Sequence, residues 1–263
     1  MSVADFLSGS YCGLPPAPGE IWARWTLDPG LLLTLGAAAL GHCLVARRGG
    51  FRRTQRWSFA IGFVVLTLAL VSPLCALSVS LFSARVAQHM ALTLVAAPLL
   101  VVGGAAHLVQ RAWRRRLVWF AEPVPAALTF AALIWFWHTP APYAATFENT
   151  LVYWLMHLSL IASALCLWTA LLRADRKSAP GAVAAGVIST VQMSLLGAWL
   201  TLAGAPLFAP HLATAPVWGF DPLSDQHFGG VIMWGPGCMA FLVSLVPPAL
   251  SLLREEAPAA VAG

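Results

Sequence analysis

Seven mostly apolar stretches, at about 29–46, 57–76, 84–102, 124–138, 150–172, 181–203 and 229–252, alternate with short segments that hold nearly all of the basic side chains. Crossing the hydrocarbon of a bilayer takes roughly 20 apolar residues in a helix, and every stretch reaches or approaches that length, the fourth being the shortest. One such stretch alone fits the core of a soluble domain. Seven in a single chain require lipid as the solvent. Composition agrees: 10% of the 263 residues are charged, against about a quarter in an ordinary soluble domain. Twelve tryptophans against three tyrosines fit the aromatic belts of membrane boundaries, and Trp22, Trp25, Trp57, Trp119 and Trp218 lie near span ends or in loops. The fold expected is all-α, an integral membrane bundle of seven transmembrane helices.

Lys and Arg are retained on the cytoplasmic side during insertion, so their distribution sets the orientation. Arg47, Arg48, Arg52, Arg53 and Arg56 follow the first stretch, Arg111, Arg114, Arg115 and Arg116 the third, and Arg173, Arg176 and Lys177 the fifth. With Arg254 these make thirteen on one side and leave Arg24 and Arg85 on the other. The N-terminus is therefore expected outside and the C-terminus in the cytoplasm. The same asymmetry accounts for the net charge of +5 without a nucleic-acid partner. Residues 1–28 read as an external, Pro-rich arm, 29–253 as the transmembrane domain and 254–263 as a cytoplasmic tail. The arm lacks the basic start and apolar run of a cleaved signal. Five cysteines, Cys12, Cys43, Cys75, Cys166 and Cys238, are scattered without a CxxC pair. Neither a zinc ribbon nor a disulfide framework is indicated, and most read as small packing residues. Only Cys12 and Cys75 fall on the outer side, where a bridge is chemically possible.

Once orientation is fixed, each histidine acquires a depth. His89, on the inward-running third span, lies roughly 8 Å below the outer boundary, and His157, on the inward-running fifth, roughly 10 Å. His138 ends the outward-running fourth span, while His211 and His227 belong to the outer loop and its junction with the seventh. His42 and His107 lie toward the cytoplasm, where a hydrogen bond between helices is sufficient explanation. Ionisable side chains inside a membrane are costly, so the matched pair His89 and His157 marks a candidate site. Met90 and Met156 adjoin them, and Met233 lies about one turn into the last span. Thioether with imidazole is a soft ligand set that favours copper, Cu(I) in particular. Packing is an equal explanation for the methionines, since neighbours on a helix point about 100° apart and His89 and Met90 need not share an ion. Asp225 reads as the cap of the seventh span, and Gly229, Met233 and Gly237 form a small-residue stripe along it, bent at Pro236.

These residues resemble the polytopic CtaG-like family of cytochrome c oxidase assembly factors, as distinct from the single-span copper chaperone that has shared the name. The likeness runs over about residues 25 to 253. It rests on Gln88-His89-Met90 with Ala96-Ala97-Pro98-Leu99, Trp137-His138 with Pro140, His157-Leu158-Ser159, and Asp225-Gln226 with Gly229-Gly230 and Met233-Trp234. It implies a seven-helix factor of the bacterial inner membrane that aids delivery of copper to a haem-copper oxidase subunit, with a periplasmic copper chaperone as a conceivable donor. His227 departs from the family pattern, where a second glutamine is expected, and is either an added ligand or a tolerated change.

The metal set expected is thus His89, His157, His138, Met90, Met156, His227 and Met233, holding Cu(I) and releasing it by ligand exchange without enzymatic bond-making. Three other readings stay open. Two histidines on facing helices can supply the axial pair of a b-type haem. A transporter would need a polar route inward, for which His42 is the one obvious candidate. A metal-free scaffold would satisfy its histidines with Gln88, Gln192 and backbone.

Overall fold

Prolines and small polar caps decide where each apolar stretch becomes a helix. In the computed structural model, which describes residues 9–105 and 122–253, Asp28 accepts a hydrogen bond from Leu31 N at 2.7 Å and opens helix α1, Pro29–Arg48. α2, Arg53–Val71, stops because extended Ser72 caps a separate short helix α3, Pro73–Ser80. The second span therefore ends five residues earlier than the run of apolar residues to 76 suggests. Then follow α4, Phe82–Ala105, α5, Pro123–Trp137, α6, Pro140–Glu148, α7, Thr150–Leu172, α8, Ala179–Thr201, and α9, Pro222–Leu252. No strand occurs among the described residues. Six of the helices (α1, α2, α4, α7, α8, α9) are long and apolar enough to cross a membrane, and α5 is a shorter apolar helix of 15 residues. The chain is a multi-pass membrane protein. His107, Arg111, Arg114, Arg115, Arg116, Trp119, Arg254 with the expected tail, and the first eight residues lie outside the described residues.

α9 begins at Pro222 rather than 229, because Asp221 accepts from Ser224 N at 3.1 Å and Pro222 sits at the first helical position. Asp225, Gln226 and His227 thus stand within the helix, not in a rim loop. α9 packs on α4 and α8, α5 on α7 and α8, and α2 along α4, while α1 leans mainly on α2. Small residues set these distances. A Cβ on Gly197 would stand 2.8 Å from Trp234 N and 3.0 Å from Gly230 O, so α8 and α9 touch backbone to backbone. The Gly229, Met233 and Gly237 stripe faces inward, all three being buried. Proline interrupts the hydrogen-bond ladder in both central helices. α4 carries π-turns at Ala91–Ala96 and Val101–Ala105 around Pro98, and α9 one at Met233–Gly237 around Pro236.

Residues 9–28, α3, α6 and the 202–221 segment gather at one end of the bundle. Thr26 N donates to Val71 O at 2.9 Å, Trp218 Nε1 to Pro16 O at 3.1 Å and Thr214 Oγ1 to Ser80 O at 2.7 Å. A disulfide joins Cys12 to Cys75. The packing role expected for most cysteines fails for this pair, since α3 turns Cys75 back under the arm to a Cα separation of 5.5 Å.

Candidate metal centre

α4 starts without a cap of its own, because Leu81 has no polar side chain. Asp225, fully buried on α9, supplies one: its carboxylate accepts from Phe82 N at 2.7 Å, from Ser83 N at 3.2 Å and from the Ser83 hydroxyl. The expected cap of the last span is thus corrected. Asp221 does that work, and Asp225 reaches across to the helix that carries the site. Such a carboxylate satisfies backbone donors that a buried helix end otherwise leaves open.

On α4, Arg85, Gln88 and His89 fall three and four residues apart and so share one face. On α7, started by Asn149 accepting from Leu151 N at 2.8 Å, the same spacing aligns Tyr153, Met156 and His157. The two faces meet. The rings of His89 and His157 lie 5.3 Å apart, edge to face at 75°, and His138 at the end of α5 brings a third ring 6.0 Å from His89. All three are at most 2% exposed. Two of the rings are oriented by backbone. His157 Nδ1 donates to Tyr153 O at 3.1 Å and His138 Nδ1 to Ile134 O at 2.7 Å, since a carbonyl can only accept. This fixes the tautomer and turns Nε2 outward as a lone pair. His157 Nε2 and both nitrogens of His89 have no hydrogen-bond partner.

Arg85 dominates the electrostatics. It is 1% exposed and donates to Thr146 Oγ1 at 2.6 Å and toward Met156 Sδ at 3.9 Å. Its guanidinium lies 4.2 Å from the Phe147 ring centre, 5.2 Å from Tyr143 and 5.8 Å from Tyr153. None of these partners is a carboxylate. The aromatic faces offset part of the charge, and a second cation nearby is disfavoured. Tyr143 also bonds His211 Nε2 at 2.6 Å, and burial pushes His211 down to about 3, so that ring stays neutral. Tyr153 stacks on Tyr11, lies 4.2 Å from the His157 ring, and places its hydroxyl 3.4 and 3.6 Å from the sulfurs of Cys12 and Cys75.

Of the residues expected to hold metal, His89, His138 and His157 converge, and Met156 stands beside them against Arg85. Met90, Met156 and Met233 all belong to the apolar core, and of the three it is Met156 that lies against Arg85. His227 is apart, half-buried, with its Nε2 3.0 Å from Ala203 O. Gln226, one position before it, turns inward and ties Leu207 N and Leu200 O. Among the described residues no group of three His, Cys, Asp or Glu stands ready-made around one point for a metal. Sequence reasoning missed Arg85, Tyr143, Thr146 and Tyr153 as members of the site. Arg85 was signalled, being one of two basic residues on its side of the charge asymmetry and four positions before His89.

The model of a family described as cytochrome c oxidase caa3 assembly factor (Caa3_CtaG) matches residues 39–255. No curated protein and no solved structure matches the chain.

Proposed function

The chain belongs to the cytochrome c oxidase caa3 assembly factor family, and from that premise we propose that it carries copper, as Cu(I), on His89 and His157 and passes it to a nascent haem-copper oxidase subunit within the membrane. The observation that carries this reading is the pair of open, fully buried imidazoles from separate helices, with three of their four ring nitrogens free of hydrogen bonds. A buried polar atom without a partner is costly, and a soft cation between two neutral imidazoles would satisfy both at once. The edge-to-face rings would turn toward each other to share one ion, with His138 or Met156 as a third donor.

Arg85 makes such a site a poor place to stay. Its charge raises the cost of a bound cation, which suits a carrier that must release its cargo by ligand exchange. A b-type haem is matched less well, because the His89 and His157 ring centres, 5.3 Å apart, stand closer than two axial imidazoles with a macrocycle between them. For orientation, seven spans with α5 among them and an outer N-terminus agree with the basic residues. The Cys12–Cys75 bridge supports the same sense, since disulfides persist in oxidising compartments. The arm and the histidines then face the periplasm of a bacterial inner membrane, where a copper chaperone is the class of donor with access.

Metal analysis of protein purified after Cu(I) loading tests the reading. A His89→Ala, His157→Ala double variant should retain at most about a tenth of the wild-type copper. In cells it should leave oxidase polypeptides present but poor in copper, partly rescued by added copper. Equal copper in wild type and variant would leave only a metal-free scaffold.

A further inference from the structure

At the end of the bundle away from the histidines, α1 and α2 enclose a cleft of about 210 Å³. His42, Ala46 and Arg47 form one wall, and Arg56 and Phe59 the other. His42 is 5% exposed, stacks on Phe59 at 3.4 Å between ring centres, and has no partner at Nε2. Arg47 and Arg56 are exposed, and neither has a partner among the described residues. Topology determination asks only for positive charge near a span end. It does not ask for a concave wall, nor for a buried imidazole left open behind two unpaired guanidinium groups.

Guanidinium groups recognise phosphate oxygens through paired hydrogen bonds, and basic pockets between membrane helices take anionic headgroups. Apolar surface continues from the cleft: Ala46 and Phe59 contribute to its two walls, and Val64, further along α2, is 54% exposed. A ligand that is anionic at one end and apolar along its length matches that sequence of surfaces. We propose that the cleft between α1 and α2 binds the phosphate of an anionic phospholipid, with Arg47 and Arg56 on its oxygens and His42 Nε2–H donating to the innermost one. The lipid would span both helices and hold α1, which leans mainly on α2. This inference is independent of the copper reading.

Native mass spectrometry of the full chain, released from micelles containing equal phosphatidylglycerol and phosphatidylcholine, tests it. The wild type should retain one phosphatidylglycerol in preference. An Arg47→Gln, Arg56→Gln double variant should lose that preference by about 30-fold, the product of two basic contacts at a membrane surface. An Arg48→Gln, Arg53→Gln control, outside the cleft, should keep most of that preference, because neither side chain lines it. His42→Phe keeps the stack on Phe59 and should weaken retention at unchanged melting temperature. Equal loss in both double variants would reduce the site to a diffuse basic surface and overturn the proposal. Displacement of the lipid by millimolar inorganic phosphate would overturn it in favour of a free-phosphate site.

Discussion

Arg85 holds a full charge in the driest part of the molecule, with one hydroxyl, one thioether and three aromatic rings around it. Buried charges without a carboxylate are retained against a stability cost. Replacing Arg85 by Met, similar in length and apolar, should leave thermal stability unchanged or raise it by about 1–2 kcal/mol. The same variant should hold Cu(I) more tightly and deliver it worse, so purified copper content rises while oxidase copper falls. A drop in both would mean that Arg85 shapes the site rather than opposing its cargo. At this scale the sequence was informative about depth and silent about azimuth. Helical rise turns a position into a height, so the sequence alone matches His89 and His157 in depth. Which way each ring points depends on how α4 and α7 are rotated about their axes, and packing sets that: α4 lies against α9 at Gly229, where a Cβ would come within 2.6 Å of the Phe82 ring, and α7 lies against α5. His227 looked equivalent to His89 in polarity and sits instead against Ala203 O.

Helices α4 and α9 depend on each other at their starts. Asp225 is 143 positions from Phe82 and caps it, a bond that no local pattern announces, because the cap that sequence pattern offers is always one within the same helix. Leu81 before Phe82 was the available sign, an N-cap position with no acceptor. Asp225→Ala should destabilise the protein by about 2 kcal/mol or more, from the lost cap and the two amides left open in the core. Asp225→Asn, keeping one acceptor, should fall between. Thermal unfolding in micelles measures both, and an unperturbed Ala variant would show that water replaces the carboxylate. Copper retention should fall in parallel, since Arg85 and His89 lie in the first turns that Asp225 anchors. Span existence was plain from hydropathy, whereas the boundaries at Val71 and Pro222 differ from hydropathy because a proline there follows a small polar cap.

For the whole molecule, reporters fused after residues 50 and 176 should behave as cytoplasmic, and those near 80, 145 and 215 as external. Cys12 and Cys75 should accept a membrane-impermeant thiol reagent only after external reduction. Labelling from the cytoplasmic side would reverse the orientation and with it the compartment of the histidines. The bridge also changes what α1 is mechanically. Between Cys12 and Cys75 the chain runs out through the arm, along α1, around the turn at 49–52 and back along α2, closing a covalent ring across 63 positions. α2 is seated firmly in this ring, with Gly62 and Gly103 bringing it against α4, but α1 is not. Closed, the ring fastens α1 at both ends, so it can bow away from the bundle and return without leaving. Opened by reduction, it leaves residues 9–28 held only by packing and by the bonds at Thr26 and Pro16, so that the cover Tyr11 makes over Tyr153 and, behind it, His157 loosens.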